Sequence, residues 1–80
     1  MHASDLAQRL KIHFPGSRVM VTDQTGSGNH FEVSITAQEF VGQSPIERHR
    51  SVMAVFDKEI KSGEIHALSI KTYESEASNV

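Results

Sequence analysis

Residues 44–73 constrain the fold most, because this stretch contains a helix with clear start and stop signals, followed by a strand. Ser44 is a suitable N-cap, Pro45 fits the first helical position, and Glu47 completes an S-x-x-E capping box. Gly63 stands where a left-handed C-cap residue is favoured. These signals predict one continuous helix between Ser44 and Gly63. Its apolar residues recur at helical spacing and form one stripe: Ile46, Val52, Met53, Phe56 and Ile60.

The remaining patterns predict a first helix and three short strands. Leu6, Leu10 and either His13 or Phe14 make an apolar stripe over residues 3–14, which a Pro-Gly pair ends. Alternating patterns predict strands over residues 18–23, 30–37 and 65–73. A glycine-containing loop over residues 24–29 joins the first two strands as a hairpin.

The predicted element order is α-β-β-α-β, with a further helical turn possible around Phe40. The crossover between the second and third strands is long enough to make them parallel. An α+β fold follows, with a three-stranded mixed sheet and the helices packed on one face. A single domain is expected over residues 1–73, and the polar, aperiodic residues 74–80 are expected to form a disordered tail.

Composition excludes several classes of protein and leaves one unusual feature. The 80 residues include no cysteine, so the chain itself offers neither a disulfide nor a thiolate ligand. A metal would need His, Asp or Glu ligands, or sulfur from a partner. Five histidines are many for this length. The sequence also lacks a nucleophile with a base at motif spacing, a phosphate loop and a carboxylate pair, so we predict no enzymatic activity.

The net charge and the hydropathy of the sequence indicate which partners and which cellular location to expect. A formal net charge of −2 argues against strong sequence-independent binding of nucleic acid. Neither a membrane span nor a basic leader with an apolar segment is visible, so a cytoplasmic protein without membrane contact is expected. The free protein is expected to be a monomer or a weak homodimer.

Three motifs resemble those of BolA-like proteins. They are FVGQSPIERHRSV at residues 40–52, IHALSIKTY at residues 65–73, and the hairpin VTDQTGSGNHFEV at residues 21–33. The resemblance covers about residues 18–73 and includes the element order. The loop lacks the cysteine of many relatives and is similar to the IbaG-like branch. The resemblance implies a fold like the class II KH domain, with a short helix before the long one.

The resemblance also implies a partner and a cofactor. BolA-like proteins form heterodimers with monothiol glutaredoxins that carry a C-G-F-S site, with or without a bridging [2Fe–2S] cluster. In the bridged form, the glutaredoxin cysteine and glutathione supply sulfur. The BolA-like chain supplies the histidine that opens the last strand, which matches His66, and a Cys or His at the hairpin loop, which matches His30. The implied role is cluster trafficking or iron sensing.

The residues alone leave other interpretations open. His66 could instead pack against a helix while donating to a carbonyl, and His30 could be an ordinary surface residue. His49 falls close to the apolar stripe by helical spacing, which predicts a structural histidine at the edge of the core.

A partner or nucleic-acid surface is predicted at Arg48, Arg50, Lys71 and Tyr73, although solvated side chains would fit the same pattern. The alternative function is that of a stress-responsive transcriptional regulator, to which the family is also linked. It would use a helix-turn-helix-like segment over residues 40–61, with Arg48 and Arg50 on phosphates. No G-x-x-G loop of the KH type is present at the expected place.

Overall fold

The computed structural model of the protein describes residues 1–74. The elements of this part are α1 (Ala3–His13), β1 (Arg18–Asp23), β2 (His30–Thr36), a 3₁₀ helix (Gln38–Phe40), α2 (Pro45–Val55), α3 (Asp57–Ser62) and β3 (Ala67–Tyr73). Of the tail predicted over residues 74–80, Glu74 is described, and residues 75–80 lie outside the described residues. Within residues 1–74, each helix is too short or too polar to cross a membrane.

The three strands form one mixed sheet in the order β1-β2-β3. β1 pairs antiparallel with β2 through the hairpin, and β2 pairs parallel with β3 after the helical crossover. β2 is therefore the central strand, and its alternate residues Phe31, Val33 and Ile35 are fully buried. The predicted α+β fold with a three-stranded mixed sheet is confirmed.

The helices cover one face of this sheet, and the hydrophobic core lies between them and the strands. The helices and connections contribute these core side chains: Leu6, Leu10, Phe14, Ala37, Phe40, Val52, Phe56 and Ile65. Along β3, exposed residues alternate with half-buried ones, as expected for a strand with one covered face. On the uncovered face Met20 is 70% exposed.

The single helix predicted between Ser44 and Gly63 is wrong, because the structure divides it at Phe56. Both predicted ends are confirmed: Ser44 and Glu47 exchange the two hydrogen bonds of a capping box, and Gly63 has a left-handed φ of 85°. Phe56 lies between α2 and α3 with φ −113° and ψ 18°. Its N–H donates to the carbonyl of Met53 at 3.0 Å, which interrupts the regular α-helical pattern.

Arg9 of α1 contacts both sides of this break. Its guanidinium donates to the carbonyl of Val55 at 3.5 Å and to the carboxylate of Glu59 at 2.7 Å. It also lies 5.4 Å from the centroid of the Phe56 ring. The hydrogen bond from Arg9 lowers the pKa of Glu59 below its usual value. Because Arg9 and Glu59 are 50 positions apart, local spacing in residues 44–63 contains no sign of the break.

Candidate functional site

His30 and His66 lie side by side where the two parallel strands begin. His30 is the first residue of β2, and His66 directly precedes β3, whose first residue, Ala67, pairs with His30. Parallel strands start at the same edge of a sheet, so residues far apart in sequence meet there. The two ring centroids are 5.7 Å apart, and the ring planes meet at 84°. His66 is exposed and His30 half-buried, so the pair can be reached from outside.

The loop between β1 and β2 is closed by its own polar groups. The carboxylate of Asp23, the last residue of β1, accepts the N–H of Gly26 at 3.0 Å and of Gly28 at 2.9 Å. Both glycines have positive φ, 75° and 79°, which residues with side chains rarely adopt. The N–H of Gln24 donates to the carbonyl of His30 at 2.9 Å. These bonds return the chain to the sheet and set the position of His30.

Asn29 contacts both histidines. Its main-chain carbonyl accepts the N–H of His66 at 2.8 Å and of Ala67 at 3.2 Å. Its side-chain oxygen lies 2.6 Å from Nδ1 of His30 and also accepts a hydrogen bond from the Ser27 hydroxyl. Asn29 falls in the loop predicted over residues 24–29, and its contacts with the two histidines were not predicted from the sequence. Its place directly before a candidate ligand histidine is the signal that could have revealed them.

The two imidazoles are nitrogen donors of a kind that binds metals, and further ligands would have to come from outside this part of the chain. Among residues 1–74, no group of three or more His, Cys, Asp or Glu side chains could hold a metal ion. The sequence contains no cysteine. Imidazole nitrogen is a suitable ligand for iron, and two histidines ligate one iron of Rieske [2Fe–2S] centres. The donor set of His30 and His66 therefore matches one half of the ligands of such a cluster.

Lys71 and Tyr73 lie away from the histidine pair. Both are on the uncovered face of the sheet, and Tyr73 is 38% exposed. At about 3.3 Å per residue, they stand about 15–25 Å along the strand from His66. They therefore belong to a different part of the surface from the one around the two imidazoles.

The two arginines of α2 differ in their surroundings. Nε of Arg48 donates to the carbonyl of Gln43 at 2.9 Å, and the same guanidinium pairs with Glu74. Arg50 is exposed and takes part in no ion pair within the described part of the chain. Arg50 is thus available for an outside partner, whereas Arg48 already has partners within the molecule.

The prediction that His49 packs at the edge of the core is wrong, because its side chain is exposed. The N-terminal half of α2 stands away from the core, and Ile46 of the predicted stripe is 57% exposed. Within α2 the buried residue is Val52. The stripe therefore contributes to the core from Val52 onward.

Fold and site together define a class: a small α+β domain with a mixed three-stranded sheet and a histidine pair where its parallel strands begin. The sequence profile described as "BolA-like protein" matches residues 4–77. The chain belongs to the BolA-like protein family.

Individual relatives and solved structures are similar to this chain over different shares of its length. A protein of Acinetobacter guillouiae, described as an uncharacterized protein in the rpoN-murA intergenic region, is 34% identical over 76 residues, which cover 95% of this chain and 88% of the relative. The structure of a bolA protein homologue from Coxiella burnetii has a TM-score of 0.78 and 32% identity, covering 100% of this chain and 99% of that one. The DNA-binding transcriptional regulator BolA of Vibrio cholerae is 42% identical over 48 residues, which cover 60% of this chain and 44% of that protein.

Proposed function

We propose that this protein is an adaptor that binds a monothiol glutaredoxin and shares a [2Fe–2S] cluster with it through His66 and His30. The observation that carries the proposal is the adjacency of the two imidazoles, whose centroids are 5.7 Å apart although the residues lie far apart in the sequence. Membership of the BolA-like family supports it, since this pairing is what the resemblance implies.

The ligand count favours a shared cluster over one held by this chain alone. His30 and His66 offer two nitrogen ligands, and the sequence has no thiolate to add. The glutaredoxin cysteine and glutathione would supply the sulfur ligands. When bound, a cluster with imidazole ligands has a higher reduction potential than an all-thiolate one, which suits transfer or sensing better than low-potential electron transport.

The role of this chain would then be to hold and orient ligands, without catalysis. His66 is exposed beside the sheet edge, where a partner can approach. Both imidazoles must be neutral to bind iron, so acidification is expected to weaken the bridged complex. Cluster trafficking and iron sensing both fit this role.

Reconstitution with a C-G-F-S glutaredoxin, glutathione, iron and sulfide tests the proposal. Absorption and circular dichroism should show a bridged cluster with the wild-type chain and none with His66→Ala. His30→Ala should weaken the complex or abolish it. Far-ultraviolet circular dichroism of the free variants should remain that of the folded protein, because neither side chain belongs to the core.

His49→Ala is the matched control, since His49 is also an exposed histidine and lies on α2. It should give the wild-type cluster spectrum. If His66→Ala kept that spectrum, or if it lost its fold, the metal role of His66 would have to be abandoned in favour of a structural one.

A second candidate function is DNA binding, favoured by the description of the Vibrio cholerae relative as a DNA-binding transcriptional regulator. Arg50 would be the phosphate contact, because Arg48 pairs with Glu74. The helix before α2 is, however, only the three-residue 3₁₀ helix Gln38–Phe40, and α2 and α3 are joined by Phe56 alone, whereas a helix-turn-helix has two helices joined by a turn of about three to four residues.

Binding of duplex DNA across a salt series tests this alternative. If Arg50 contacts a DNA phosphate, Arg50→Ala should reduce the magnitude of the slope of log affinity against log salt concentration by about 1. Absence of DNA retention at low salt would remove the alternative.

A further inference from the structure

Asn29 joins the two histidines through two different parts of one residue. Its main-chain carbonyl accepts the N–H of His66 at 2.8 Å and of Ala67 at 3.2 Å, where β3 begins. Its side-chain Oδ1 lies 2.6 Å from Nδ1 of the His30 ring. Asn29 therefore contacts the backbone of His66 and the imidazole ring of His30.

The chemistry of the side-chain contact decides which nitrogen of His30 carries the proton. A carboxamide oxygen has no hydrogen to donate, so an Nδ1 that lies against Oδ1 must be protonated. In a neutral imidazole with the proton on Nδ1, the lone pair is on Nε2. The Ser27 hydroxyl donates to the same oxygen and is itself hydrogen-bonded to Thr25, so the carboxamide is held on two sides.

We infer that the side chain of Asn29 is a positioning group for His30. It holds His30 in the Nδ1–H tautomer, which leaves the lone pair of Nε2 free for a metal, while the main-chain carbonyl of Asn29 accepts the N–H of His66 beside it. The benefit to a cluster rests on the proposed function, whereas the tautomer is a property of the free chain. Metal-binding histidines commonly donate their second ring nitrogen to an oxygen, and loss of such a partner costs about 10- to 100-fold in metal affinity.

The tautomer is measured on the free chain, without glutaredoxin or cluster. Long-range ¹H–¹⁵N correlation of the labelled protein at about pH 8.5, where unperturbed imidazoles are neutral, distinguishes the two ring nitrogens. We expect His30 as Nδ1–H in the wild type and in Asn29→Asp, which keeps an acceptor oxygen. We expect a shift toward Nε2–H, the form favoured by an unconstrained imidazole, in Asn29→Ala. His49 is the internal reference and should not change.

Two results would overturn the inference on the free chain. One is Nε2–H at His30 in the wild type, because the carboxamide would then be reversed, with its NH₂ group donating to Nδ1. The other is an unchanged tautomer in Asn29→Ala. Both substitutions keep the main-chain carbonyl, so the amide resonances of His66 and Ala67 should stay near their wild-type positions, which separates loss of the contact from unfolding.

The reconstituted complex gives the second readout. With glutaredoxin, glutathione, iron and sulfide, Asn29→Ala should raise the dissociation constant of the bridged complex by about 10- to 100-fold, and Asn29→Asp should recover much of this loss. An equally tight complex with Asn29→Ala would overturn the positioning role alone. A wild-type chain that forms no bridged complex would remove the proposed function and leave the tautomer measurement to decide on Asn29.

Discussion

Replacing Arg9 by methionine should destabilise the fold by about 1.5–2 kcal/mol, because the guanidinium joins α1 to both helices that meet at Phe56. In the ion pair with Glu59 the nitrogen and oxygen are 2.7 Å apart, and the side chains are 34% and 14% exposed. After allowance for solvent screening of Arg9, this charge-assisted hydrogen bond contributes about 1 kcal/mol. The guanidinium near the Phe56 ring adds about 0.5–1 kcal/mol.

A double-mutant cycle isolates the ion pair from the ring contact. Urea unfolding of the wild type, Arg9→Met, Glu59→Gln and the double variant should give a coupling energy of about 1 kcal/mol. Methionine keeps much of the apolar length of arginine, so packing of the stem is preserved. For a domain of this size, each kcal/mol corresponds to about 4–8 °C in Tm, and thermal unfolding should show the same order of variants.

Asp57 and Lys61 of α3 provide the matched control. Their ion pair is 3.0 Å long and also links an acid to a base, but its side chains are 61% and 76% exposed. Its coupling energy should be below about 0.5 kcal/mol. If the pair of Arg9 and Glu59 coupled no more strongly than this control, burial of Phe56 alone would hold α3 in place, and the reasoning about Arg9 would be refuted.

Two further predictions concern pH and the end of α3. Because Arg9 donates to the charged carboxylate and lowers the pKa of Glu59, this group stabilises the fold above about pH 4.3, and its contribution is lost as the pH falls through the lowered folded-state value. Between about pH 5 and 3, denaturant unfolding should show the wild type losing more stability than Glu59→Gln; equal losses would contradict the assignment. Gly63→Ala should cost about 1 kcal/mol in thermal unfolding, because φ is 85° while no atom within 4 Å opposes the added Cβ. A variant as stable as the wild type would show that the turn relaxes without strain.

Local signals in the sequence predict where a helix begins and ends. Contacts with residues far away in the sequence determine whether the helix is interrupted between those ends. Ser44, Glu47 and Gly63 act on their own neighbours in the chain, so the start of α2 and the end of α3 follow from spacing. The break at Phe56 involves a guanidinium from α1, and no glycine or proline near it indicates an interruption. A helical stripe alone therefore predicts one helix where the structure has two.

In the candidate site, too, the sequence predicts some features, and others depend on contacts between distant residues. The resemblance predicts His30 and His66 as a pair, and the parallel crossover predicted from the element order explains why they meet. The main-chain contact of Asn29 with His66 uses a carbonyl that every residue type possesses, and its side-chain contact with His30 depends on how the loop folds, so spacing in the sequence gives little indication of either. Likewise, the pairing of Arg48 with Glu74 joins residues 26 positions apart and was not predictable from helical spacing.

Because β2 and β3 pair in parallel, the two histidines come together only once the chain has folded. In the unfolded polymer the two imidazoles are about 36 residues apart, and closing that span is a slow, entropically costly event. A ligand that needs both imidazole rings would therefore bind the folded chain and not the unfolded one. Because such a ligand binds only the folded chain, its binding would also shift the folding equilibrium toward the folded state by mass action.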